Sequence, residues 1–94
     1  MPDAAEHEVI EVLNFGADKY GEHNWKNVTP LNTRYYNAMR RHVSAFRRGE
    51  RVDPDSGKHH LAHAVCCLLF MLENDIQESR MDEPLPAMLQ RQTD

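Results

Sequence analysis

The run HHLAHAVCCLLFMLE, residues 59–73, constrains this chain more than any other stretch. Between Leu61 and Leu72 it holds no Asp, Glu, Lys or Arg, and its apolar side chains fall on every side of a 3.6-residue helix. Such a helix needs neighbours all round. The rest of the sequence offers two further amphipathic segments, too few to surround it, so a homo-oligomer with this helix at the subunit contact is expected. The run is shorter than the ~20 residues that cross a bilayer. The start MPDAAEHEV is acidic where a signal peptide is basic and then apolar. No membrane association is expected.

Ala5, Val9, Val12, Leu13, Gly16 and Tyr20 recur at three- and four-residue steps, which predicts a helix from about Asp3 to Tyr20. Asp3 and Glu6 have capping-box spacing, and Ile10, Phe15 and Ala17 suggest a second buried side. YGEHNWKNVTP breaks the pattern and predicts an ordered loop around Trp25. Asn32 or Thr33 then caps a second helix whose inner face is Tyr35, Met39, His42, Val43 and Phe46, and Gly49 ends it. DPDSG, residues 53–57, is a turn before a third helix over about 57–78, and 79–94 reads as a C-terminal tail. The expected fold is all-α: a three-helix hairpin bundle, one domain over 1–78, completed by homo-oligomerisation.

A net charge of −4 argues against duplex nucleic acid as a partner, since the basic residues gather only in RRHVSAFRRGER, residues 40–51. Cys66 and Cys67 are adjacent on an apolar helix, a geometry that does not bridge them to each other. Reduced thiols and the lack of an export signal predict a cytoplasmic location.

The three imidazoles at 59, 60 and 63 have the helical spacing that zinc accepts, but a zinc site needs three or four ligands. Only His42, Asp53 or Asp55 could complete it, and no CxxC or HExxH is present. His60 and His63 are therefore read as hydrogen-bonded polar groups at the mouth of a pocket, partnered by His42 and the DPDSG turn, with His59 the most exposed; no metal is assigned to them. Glu8 and Glu11 form an ExxE pair suited to magnesium, but Glu73 and Asp75, two positions apart, point in different directions and make no matching pair. Ser44 lies mid-helix and Ser56 reads as a cap, so neither is a nucleophile candidate.

A richer constellation lies in GADKYGEHNW and RYYNAMRRH. Lys19, Arg34 and Arg41 offer charged donors to phosphate, and Tyr20, Trp25 and Tyr35 offer flat faces to a base. With Asn24, His42, His60 and His63 they form the expected ligand-binding set. A solvated basic face and aromatic anchors for the loop are the alternatives for each residue taken singly.

These strings also resemble a family of small, mostly bacteriophage proteins labelled as the N-terminal domain of dATP/dGTP diphosphohydrolases, over about residues 12–73. The resemblance rests on Gly16, Lys19, Tyr20, Asn24 and Trp25, then on Arg34, Tyr35, Arg41 and His42. It continues through Gly49, Glu50, Asp53, Ser56, Gly57, His60, Ala62 and His63. It implies deoxynucleotide handling. By analogy of design, the chain also resembles phage sponges that hold nucleotide immune signals of the host. The expected function is binding and sequestration of a nucleotide-derived small molecule by a homo-oligomer in the cytoplasm of an infected host cell, without a cofactor. The alternative is a metal-dependent dATP/dGTP diphosphohydrolase using Mg2+ at Glu8, Glu11 and Asp53. A third reading is an interaction module that meets an acidic partner through the basic second helix.

Overall fold

The computed structural model describes residues 1–82. It contains α1 (Asp3–Tyr20), a 3-10 turn (Asn24–Asn27), α2 (Leu31–Arg47) and α3 (His60–Asp82), with no strand longer than one isolated bridge among the described residues. The fold is all-α. None of these helices is long and apolar enough to cross a membrane.

Proline sets both early helix starts. Pro2 and Pro30 occupy the N-cap positions in extended conformation, and their carbonyls accept from Glu6 N–H at 3.0 Å and Arg34 N–H at 3.1 Å. Asp3, Asn32 and Thr33 thus lie within or at the start of their helices and cap nothing, and the capping box expected at Asp3 and Glu6 does not form. The fixed φ of proline preorganises the entry where a side-chain oxygen was expected to do so.

The end of α2 is built by Gly49. Its φ of +101° lets the chain reverse so that Gly49 N–H bonds Phe46 O and Glu50 N–H reaches back to Ala45 O, both at 3.0 Å. This pair of bonds is a Schellman motif. The chain then forms a narrow hairpin. His60 N–H bonds Arg51 O at 2.9 Å, and Asp53 and Lys58 pair through a 2.8 Å bond across it. Gly57, at φ +74°, closes the turn with a 2.8 Å bond to Asp53 O. α3 therefore begins at His60, later than the expected 57. The cap is the His59 ring, whose Nδ1 accepts from Leu61 N–H at 3.0 Å.

α2 and α3 pack antiparallel, with Phe46 beside His59, Tyr35 beside Phe70, and Thr33 and Tyr36 beside Leu72. α1 lies on another side of α3, joining Val12 to Ala62 and Cys66 in a core flanked by Val9, Leu13 and Phe70. Ala45, Ala62 and Ala64 are buried, and their small size lets the backbones approach. Burial pushes the Cys66 and Cys67 thiols up to about 12 and about 11, so both stay protonated near neutrality.

Among the described residues, the remaining side of α3 is open. Val65, Leu68, Leu69 and Leu72, at i, i+3, i+4 and i+7, are each at least 40% exposed. Ile10, expected inside, is also 47% exposed, because α1 meets α3 along one stripe and, among the described residues, has no neighbour beside Ile10 on its second side. α3 continues to Asp82 beyond the expected end at 78, aided by bonds from Gln77 to Glu73 at 2.6 Å and from Asn74 to Glu78 at 2.9 Å. The rest of the segment read as a tail lies outside the described residues.

Candidate functional site

The hairpin between α2 and α3 aligns the three imidazoles of His42, His60 and His63. His60 is buried, 4% exposed, and uses both ring nitrogens. Its Nε2 lies 2.7 Å from Glu50 Oε1, and its Nδ1 lies 2.8 Å from Nδ1 of His42. A carboxylate only accepts, so Nε2 of His60 carries a proton; the two facing Nδ1 atoms have room for one more proton between them. His42 and His60 therefore cannot both be charged. Burial, then the neighbouring His63 and His60 and the Arg41 charge, lower His42 to about 4 against the opposing pull of Asp53.

His63 stacks flat on His42, ring centroids 4.5 Å apart, and its Nε2 is 2.7 Å from Ser56 Oγ. Ser56 donates to Asp53 Oδ2 at 3.1 Å and accepts from Lys58 N–H at 3.1 Å, so His63 Nε2–H is the donor to Ser56. Burial lowers the His63 imidazole, with Asp53 opposing and His60 adding. At Asp53 the burial penalty is outweighed by the bonds from Ser56 and the Asp55 amide and by the two imidazoles, so its carboxyl lies below the ordinary value. Asp53 and Ser56 approach the same ring nitrogen, an arrangement that orients the turn and does not activate a serine for attack. Ser56→Ala should lower stability by about 1 kcal/mol, read as a shift in denaturant midpoint, by leaving His63 and the Lys58 amide without their shared partner.

On the other side of His63 opens a cleft of about 960 Å³, walled by α1, the 3-10 turn and α3. Lys19, Tyr20, Asn24, Trp25, Tyr35 and His63 all line it. Arg34, Arg41, His42 and His60 do not. His42 and His60 stand behind His63 as its support, while Arg34 and Arg41 are exposed on α2. Trp25 is half given to the fold: Phe70 stacks on it with centroids 4.9 Å apart and planes 9° from parallel. The Tyr35 hydroxyl donates to Trp25 O at 3.1 Å, and burial, with Cys67 adding, raises the phenol so that it keeps that proton. Lys19 lies across the Phe15 and Tyr20 rings, 5.7 and 5.1 Å from their centroids, at the solvent edge.

Sequence reasoning named the DPDSG turn, with Asp53 and Ser56, as partner of the imidazoles, but it gave Glu50 no bond to His60 and Phe70 no place in the cleft. Phe70 carried no signal beyond being apolar, and Glu50 enters only because the Schellman turn brings it back beside α3.

Among the described residues magnesium finds no set of donors. Glu11 faces Lys58 at 3.8 Å, Asp53 is committed to Ser56 and His63, and among the described residues no group of three His, Cys, Asp or Glu side chains is arranged to hold a metal ion. The described residues do not fit a carboxylate-held cation.

A family model described as "dATP/dGTP diphosphohydrolase, N-terminal" matches residues 1–84. The chain is also 38% identical over 64 residues to a dATP/dGTP diphosphohydrolase of Salmonella phage PMBT28, covering 68% of this chain and 21% of that protein. The chain thus spans about a fifth of the length of this relative. No solved structure matches it.

Proposed function

The chain belongs to the family of dATP/dGTP diphosphohydrolase N-terminal domains, and on that premise we propose that its cleft receives a purine deoxynucleoside triphosphate in the service of diphosphohydrolase chemistry. The observation that carries this reading is the convergence of Lys19, Tyr20, Asn24, Trp25, Tyr35 and His63 on one cleft of about 960 Å³, at the upper end of the range for small-molecule sites. The Trp25 ring, stacked on Phe70 and 5.8 Å from Lys26 Nζ, and the Tyr20 ring suit a base, and Lys19 meets phosphate at the rim. Asp18, Glu22, Asp53 and Asp55 also line the cleft, so its walls repel phosphate and favour the base end of the ligand.

Sequestration without cleavage is the second reading, favoured by the Asp53 carboxylate beside His63 being already bonded by Ser56 and the Asp55 amide. Incubation with dATP or dGTP and Mg2+, followed by chromatography of bound and free nucleotide, separates the two. Released diphosphate supports hydrolysis by this chain, intact bound nucleotide supports capture, and no binding by calorimetry overturns the cleft. Lys19→Ala should weaken binding about tenfold with helical content unchanged, and an unaltered affinity would remove Lys19 from the site.

We also propose that the chain is a homo-oligomer acting in the cytoplasm of an infected host cell. The open apolar side of α3 and the phage origin of the relative support this. Light scattering at micromolar concentration should give more than the 10.9 kDa of one chain.

A further inference from the structure

We infer that the open face of α3 is covered by the same face of a second copy lying antiparallel, with Arg40 and Arg47 of each α2 level with acidic residues of the other copy's α3. This rests on the homo-oligomer proposed above and adds its orientation, which charge complementarity decides.

Charge is segregated along α3. The half from Leu61 to Leu72 has no Asp, Glu, Lys or Arg, while the following turns carry Glu73, Asp75 and Glu78 against Arg80. α2 carries arginines and no acid, and among the described residues no arginine takes part in an ion pair. The α2 flank that borders the open face is fixed by Thr33 and Tyr36, which share a groove of about 650 Å³ with Leu68, Leu72 and Asp75. One turn on from Tyr36, Arg40 lies 5.8 Å over its ring, and Arg47 follows seven residues later on the same flank.

The α2–α3 contacts set the level of each arginine. Tyr35 meets Phe70, His42 meets His60 and His63, and Phe46 meets His59. Arg40 therefore stands beside Val65, and Arg47 beside the start of α3. In an antiparallel seam crossing between Leu68 and Leu69, Val65 of one copy faces Leu72 of the other and fills the groove beside it. The acidic turns of each α3 then run past the uncharged half of the other and alongside its arginine flank: Asp75, on the side of α3 that borders α2, near Arg40, and Glu78, one turn on, near Arg47. A parallel seam would instead set acid against acid and arginine against arginine.

Cysteine pairing on the full-length chain tests the orientation. Mixed Val65→Cys and Leu72→Cys proteins should give a 65–72 disulfide dimer on mild oxidation, and neither variant alone should do so. The native thiols are buried and protonated, so they contribute little background. Cross-linking of each variant with itself and not with the other would overturn the antiparallel arrangement while leaving the oligomer intact. A monomer by light scattering, or capture of the face by a different chain, would overturn both. Independently, Arg40→Glu with Arg47→Glu should raise the dissociation constant about tenfold, and adding Asp75→Arg with Glu78→Arg should recover it. No change on charge reversal, or no recovery in the combined variant, would overturn the proposed pairing.

Discussion

His60→Ala should destabilise the fold by about 2–4 kcal/mol, measured as a fall in urea midpoint at unchanged slope. The ring is buried and holds two partners on different elements, His42 on α2 and Glu50 just after it. Truncation opens a cavity and leaves a half-buried imidazole without its partner; Glu50, 53% exposed, turns to water. His59→Ala is the control. That ring supplies one capping bond to Leu61 N–H, so its loss should cost about 1 kcal/mol. Equal effects at the two positions would show that the network has no special weight.

Stability should also fall steeply with acid between pH 6.5 and 4. The folded state holds His42 neutral down to about 4, whereas the unfolded chain protonates it near its ordinary 6.5. Above 6.5 both states are neutral and the contribution is whole. As the pH drops, the unfolded state takes up a proton that the folded state refuses, so unfolding is favoured by a slope approaching one proton for this site. His63, also lowered, adds in the same direction. The Asp53 carboxyl, held below its ordinary value, adds a further loss only in more acid solution. In His42→Asn, whose amide can replace Nδ1 toward His60, the slope between pH 6.5 and 4 should flatten by about one proton. Denaturant midpoints across that range measure it, and an unchanged slope would exclude His42 as its source.

Much of the site's support was legible in the sequence. The i, i+3 step from His60 to His63, the turn residues of DPDSG and the inward position of His42 on α2 together placed imidazoles opposite hydrogen-bond partners. The role of Glu50 was not legible, since it depends on a 6→1 bond made across Gly49 and on no periodic spacing. The all-round apolar pattern of α3 announced burial but not which side would stay open. That depends on the rotation of α3 against α1 and α2, which the buried alanines and cysteines set by close approach. Likewise Trp25 carried both a binding and an anchoring reading, and only the parallel ring of Phe70 gives one of its faces to the fold.

The hairpin between α2 and α3 also governs how the chain reaches its native state. Its hydrogen bonds join residues close in sequence, 18 apart between His42 and His60, 10 between Glu50 and His60, and 7 between Ser56 and His63. The thiol bond from Cys66 to Val9 O, by contrast, spans 57 positions. Closing short loops loses little chain entropy, so the α2–α3 pair is the natural folding nucleus and α1 docks afterwards on a surface already formed. Amide exchange should accordingly be slowest around the histidine network and faster along α1, whose movement away from α3 would open the cleft before any unfolding of the hairpin.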